Sequence, residues 1–437
     1  MEDPVRTTSL LHVAESLRTG ATGAPEHTDA TLRRIADVDR AVRAFVDEPE
    51  RTERLRAAAR DAADRHPAPD TRPALYGVPV GVKDILHVDG LPTRAGSALP
   101  AEELAGPQAT AVSRLLAAGA LIAGKTVTAE FAVAAPGPTR NPHDLDHTPG
   151  GSSSGSAAAV AAGLVPLALG TQTIASLVRP AAYCGVVGFK PTHGRVPLDG
   201  VLPTSPSYDT VGTFTATTAD AALAASVLCD DWRPERVGDD RPVLAVPKGP
   251  YLGFTEPEAL AAFDRQVTAL RDAGYEIREV PVFDDFEQDA FSLFVINLYE
   301  LARAHADLFD RHADRYDPRT AEAILQGRTA QDSDYADALK ARDAFRDRLT
   351  ETTHGHGVDL WITPAATGPA PRGLDNAGDS VMSLPWSGAG LPIVSVPAGR
   401  TAEGLPLGLQ CVGRTGEDER LLRWAADVEG VLGALPL

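Results

Sequence analysis

Residues 148–192 read TPGGSSSGSAAAVAAGLVPLALGTQTIASLVRPAAYCGVVGFKPT. A Gly- and Ser-rich turn opens the stretch. An Ala-rich helix is predicted over 156–162, followed by a buried apolar strand over 164–169. A second serine turn then leads to another short apolar strand over 185–189. Helix and strand alternating at this spacing imply an α/β fold.

The same alternation extends outward. Residues 77–85, GVPVGVKDI, carry a strand over 78–82 that ends at Lys83. Upstream, 7–17, 29–46 and 50–65 have helical periodicity, and 67–73 is a Pro-rich break. A helix over 110–118 stops at Gly119, before a short strand over 120–123. Downstream, strands are expected over 243–246, 360–362, 393–396 and 409–412. Helices are expected over 256–273, 286–311, 333–350 and 418–429. No long linker divides the chain. The reading is one domain over 71–437, with a helical segment over 1–70 packed on its core.

Composition narrows the function. The 437 residues are 43% hydrophobic and 23% charged, a globular balance, with a net charge of −19. That field opposes non-specific binding to nucleic acid and to anionic membranes. Cys184, Cys229 and Cys411 are too few and too scattered for a disulfide framework and suit a reducing cytoplasm. The start, MEDPVRTTSL, lacks the apolar core of a secretion signal, and no apolar run reaches membrane-spanning length. The chain is therefore expected in the cytoplasm.

The chemistry lies in one lysine and two serines. Ser152 and Ser176 stand 24 residues apart, each in a tight turn. A serine hydroxyl needs a base before it attacks, and a desolvated, neutral lysine serves without histidine, metal or cofactor. Lys83 fits this role, and strand alternation should turn the adjacent Asp84 to the opposite face. Backbone N–H groups of Thr173, Ile174, Ala175 and Ser176 are placed to form an oxyanion hole.

Other signals carry less. Residues 119–126, GALIAGKT, match a phosphate-loop pattern, but a helix precedes the motif and a strand lies inside it. Residues 151–155, GSSSG, match a nucleophile elbow centred on Ser153 without the strand that must precede one. His143, His147, His354 and His356 lie in polar turns without further ligands at metal-binding spacing. Met382 and Trp386 are expected in a pocket wall, with core packing as the alternative.

Three blocks resemble the amidase signature family of serine amide hydrolases: 77–85, the whole of 148–192, and 388–413, GAGLPIVSVPAGRTAEGLPLGLQCVG. Residues 124–131 (GKTVTAEF) and 208–212 (YDTVG) add to it. The resemblance implies a single large mixed, mostly parallel sheet covered by helices on both faces, with no metal or cofactor. It makes Lys83 the catalytic lysine, Ser152 the bridging serine, on a cis peptide, and Ser176 the nucleophile. Ser153, Arg179 and Trp386 become candidate substrate contacts.

Two departures stand out. Gln172 replaces the usual aspartate, and Ile174 and Ala175 replace a pair of glycines. A β-branched Ile174 must take an ordinary backbone conformation, or the oxyanion loop is reshaped. Arg179 lies three residues after Ser176 rather than two, which resembles the malonamidase subset, where such an arginine can hold a substrate carboxylate. The alternative is that Arg179 ties down backbone carbonyls.

The expected activity is hydrolysis of a small-molecule carboxamide through a Ser176 acyl-enzyme. Alternatives on the same site are an amide-forming or acyl-transferring enzyme and the glutamine-hydrolysing subunit of a tRNA amidotransferase. A third is a catalytically weak scaffold of the same fold. A homodimer is compatible with the reading; a nucleic-acid or membrane partner is not.

Overall fold

In the computed structural model, residues 4–234 and 240–433 are described. Among them, ten strands form one sheet. They are β1 Pro79–Lys83, β2 Leu121–Thr126, β3 Leu167–Gln172, β4 Val187–Lys190 and β5 Thr210–Thr215, then β6 Leu244–Lys248, β7 Ile277–Pro281, β8 Leu360–Pro364, β9 Ile393–Arg400 and β10 Pro406–Val412. Their spatial order is β2-β1-β3-β5-β4-β9-β10-β8-β6-β7.

The sheet is mixed, as expected, but not mostly parallel. Parallel pairing is confined to the two ends: β2-β1-β3 on one side and β8-β6-β7 on the other. The five pairings between β3 and β8 are antiparallel. For one of these pairings connectivity is the cause. Strands β9 and β10 are joined by a short turn, and such a turn permits only antiparallel pairing.

Every residue of β1 to β5 and of β8 is buried, so both faces of the sheet are covered. The covering helices are α1 Leu10–Thr19, α2 Ala24–Val42, α3 Arg51–Arg65, α4 Thr110–Ala117, α5 Ser154–Ala161, α6 Val178–Cys184 and α7 Thr218–Leu228. Further along come α8 Pro257–Asp272, α9 Phe286–Ala304, α10 Ala306–His312, α11 Pro318–Gly327, α12 Asp332–Gly355, α13 Leu384–Gly388 and α14 Asp418–Gly433. The expected helix over 286–311 is broken at His305, whose ring is hydrogen-bonded to Tyr316 Oη and set edge-on against Phe131.

The first three helices share the main core. Leu10, Leu17, Val42 and Leu55 are fully buried in it. Arg34 donates to Ala162 O at 2.9 Å, and Val46 N donates to Lys125 O at 2.9 Å. No described helix is long and apolar enough to cross a membrane. The three cysteines are free and buried.

Candidate active site

Lys83 ends β1, between two parallel neighbours, and is wholly buried. Its Nζ donates to Ser152 Oγ at 2.7 Å and to Thr171 Oγ1 at 2.8 Å. Burial pulls its pKa from 10.5 down to about 7, with the Asp209 carboxylate working against the drop. Asp84 does face the other way: its carboxylate pairs with Lys125 at 2.8 Å. Lys125, the lysine of the phosphate-loop pattern, is thus buried in a structural ion pair.

Ser152 follows a cis Gly151–Ser152 peptide. The turn before it needs glycine: Gly150 has φ +79°, and a Cβ there would lie 2.9 Å from Pro180 Cα. Helix α5 starts directly after this turn and packs on β3, which fixes Ser152 over the end of β1.

Ser176 sits between the end of β3 and the start of α6 and is half-buried. Its carbonyl accepts from Ser153 N at 3.4 Å, which sets the two serine turns side by side. Its hydroxyl has no hydrogen-bond partner among the described residues. The expected Lys83–Ser152–Ser176 unit is therefore closed at its first link and open at its second. Such bonds are often long in a free enzyme and tighten only when substrate is bound.

The turn itself is heavily tied. Gln172 Oε1 accepts from Leu177 N at 2.8 Å and from Val178 N at 3.0 Å. Gln172 Nε2 donates to Ser387 Oγ at 2.9 Å, and Ser387 Oγ donates to Ile174 O at 2.6 Å. Thr173 Oγ1 donates to Asp209 Oδ1 at 2.6 Å, while Asp209 Oδ2 accepts from Thr204 N and Ser205 N. Burial pushes the Asp209 carboxyl up, and these hydrogen bonds and Lys83 pull against that rise. The N–H groups of Thr173, Ile174, Ala175 and Ser176 find no acceptor among the described residues.

Ile174 and Ala175 are absent from the positive-φ residues, so both keep ordinary backbone. Ile174 packs its side chain against a cluster containing Tyr208, Leu293 and Leu384.

The candidate substrate contacts fare differently. Arg179 is buried, and its Nη1 and Nη2 donate to Gly378 O at 2.6 Å and Gly151 O at 2.7 Å. It thus ties the Ser152 turn to a distant loop, as the carbonyl alternative expects; its Nε has no partner among the described residues. Ser153 is fully buried, and its hydroxyl closes a ring of bonds with the Thr171 backbone, donating to O and accepting from N. Trp386 is fully buried too; its Nε1 donates to Tyr251 Oη at 3.0 Å and its ring meets Phe283 edge-on. Neither Ser153 nor Trp386 reaches an open surface: the Ser153 hydroxyl is engaged with the Thr171 backbone, and the burial of Trp386 fits the core-packing alternative.

Sequence reasoning assigned no role to Thr171, Asp209 and Ser387, and took Gln172 only as a departure. Asp209 lies in the quoted 208–212 block and could have been found there. Ser387 could not, because nothing in the sequence brings α13 to the Ser176 turn.

The chain belongs to the Amidase family, whose model matches residues 26–422, and so acts as an enzyme on amide C–N bonds. Among curated proteins it is 34% identical, over 467 aligned positions, to a glutamyl-tRNA(Gln) amidotransferase subunit of Roseiflexus sp. (strain RS-1), covering 95% of this chain and 94% of that one. Among solved structures it is similar to a crystal structure of an amidase, with TM-score 0.88, 34% identity, and 98% and 100% of the two chains covered. It also resembles the native peptide amidase of Stenotrophomonas maltophilia, with TM-score 0.81, 27% identity and 98% of each chain covered.

Proposed function

We propose that the chain cleaves a carboxamide through an acyl-enzyme on Ser176. The supporting observation is a wholly buried Lys83 amine 2.7 Å from Ser152 Oγ, beside a turn whose N–H groups have no acceptor among the described residues. In its neutral form Lys83 accepts the Ser152 proton while Ser152 takes that of Ser176. Ser176 Oγ attacks the amide carbonyl, and turn N–H groups receive the oxyanion. The relay then returns the proton to the departing amine, and water, deprotonated by the same route, releases the acid. The ordinary backbone at Ile174 and Ala175 speaks against a scaffold that has lost this chemistry.

A fluorophosphonate probe with peptide mapping tests the reading. Label on Ser176, lost in Ser176→Ala and Lys83→Met, is the expected result; a folded wild-type chain that stays unlabelled defeats it.

For the physiological donor, the curated relatives favour a glutamine-hydrolysing subunit over a free-standing small-amide hydrolase. Their shared name is that of an amidotransferase component, and the match runs nearly end to end. The strongly acidic chain suits such a division of labour, since another subunit would hold the tRNA. Ammonia release from glutamine by the chain alone and with its partner subunits separates the readings. Release that needs the partners supports the amidotransferase reading; efficient turnover of other amides by the chain alone supports the small-amide hydrolase.

A further inference from the structure

Three peptide planes surround Ser176, and each is gripped from outside the turn. In a trans peptide, the C=O and N–H of one plane point in opposite directions. Ile174 O is held by Ser387 Oγ at 2.6 Å, so the Ala175 N–H of that plane points away from Ser387. Ala175 O accepts from Arg179 N at 3.1 Å, so the Ser176 N–H points away from α6. Ser176 O accepts from Ser153 N while Leu177 N donates to Gln172 Oε1, which holds the third plane at both ends.

Gln172 controls two of these planes. Its oxygen holds the Ser176–Leu177 plane directly. Its Nε2 donates to Ser387 Oγ at 2.9 Å, which fills an acceptor site of that hydroxyl and leaves its single proton for Ile174 O. A carboxylate at 172 could accept the same two backbone bonds but has no proton to give Ser387. The hydroxyl would then turn its own proton toward the carboxylate and release Ile174 O. Gln172 and Ser387 are therefore a matched pair, and both are fully or nearly fully buried.

We infer that Ser387, oriented by Gln172, is a positioning residue that aims the Ala175 N–H at the developing oxyanion. The inference rests on the acyl-enzyme reading. Neither side chain touches the reacting atoms; both act through the Ile174–Ala175 peptide, which is consistent with the non-glycine residues there, since a peptide held from outside needs no glycine freedom.

The test is the second-order rate of fluorophosphonate labelling at Ser176 in the full chain, with circular dichroism as the folding check. Ser387→Ala should label about 10- to 100-fold more slowly, somewhat less than the loss of a whole oxyanion donor. Gln172→Glu should match it. The double variant should be within about threefold of either single one, because both break the same tie. Ser387→Thr, which keeps the hydroxyl, should label at close to the wild-type rate, and the pH midpoint should not move in the Ser387 variants, which change no charge. A merely structural pair would lower the thermal midpoint seen by circular dichroism without slowing the labelling of the folded chain. If wild type is labelled and folded Ser387→Ala or Gln172→Glu labels equally fast, the positioning role falls and the acyl-enzyme stands. If folded wild type is not labelled at Ser176, both fall together.

Discussion

Lys83 carries the sharpest consequence at the scale of single residues. Desolvation brings its pKa from 10.5 to about 7, which leaves much of it neutral near neutrality. Activity should therefore rise with pH through an apparent midpoint near that value and then level off. A kcat/KM profile flat from pH 5 to pH 9 would remove Lys83 as the base. The same shift has a stability consequence of definite sign. Between about 7 and 10.5 the folded chain holds fewer protons at this site than the unfolded chain, so burial of Lys83 costs most below pH 7 and the cost fades as pH rises. Lys190, also buried and lowered to about 7, adds a second group to the same window. Lys83→Met should shrink the slope of unfolding free energy against pH there by about 1.4 kcal/mol per pH unit, one proton's worth. Denaturant titrations at pH 7.5 and pH 9.5 measure it; an unchanged slope means that Lys83 is ordinary.

Elements meet the site through Glu300. This carboxylate on α9 accepts from Ser205 Oγ, Ser207 N, Ser207 Oγ and Tyr335 Oη, and these bonds hold it below its ordinary pKa despite burial. It joins α9 and α12 to the loop that carries Asp209, and Asp209 holds Thr173. Glu300→Ala should cost about 2–3 kcal/mol of stability, the scale of lost hydrogen bonds to a charged group, and should lower activity as well. A denaturant midpoint and turnover both at wild-type level would show that the loop needs no clamp. None of this was legible in the sequence, because hydrogen bonds of this kind join residues about 95 positions apart. What could be read was periodicity. The valines of β1 and the apolar runs of β9 and β10 announced themselves. Strand β5, TVGTFT, escaped because threonine and glycine blur the pattern, and β7, IREVP, because it is a charged, exposed edge. Helix α6 escaped because it is short and carries Pro180, which is tolerated only in a first turn. Within the site, Lys83 Nζ lies 2.7 Å from Ser152 Oγ, the pairing that the family resemblance implied and spacing alone did not. Trp386 and Ser153 could not be placed, because a sequence does not say which side of a turn is open.

At the scale of the molecule, charge decides what the chain can hold by itself. The formal balance is 41 basic against 60 acidic residues. Many arginines are also engaged with carboxylates of the same chain. Arg54 is held by Glu48, Arg195 by Asp418 and Glu419, and Arg311 by Glu103 and Asp307. A polyanion must displace such partners before it gains a cation, and it meets a repulsive field on approach. Binding to phosphate backbones depends on releasing counterions through free Lys and Arg, so a surface of paired arginines gains little from it. The isolated chain should pass unretained over immobilised heparin at about 50 mM salt, where basic patches bind well. Retention that needs several hundred millimolar salt for elution would reveal a cationic face that the pairing hides, and nucleic acid would then be a direct ligand. Passage without retention, together with catalysis at Ser176, would instead confine this chain to the amide and leave any polyanionic acceptor to a separate, basic protein.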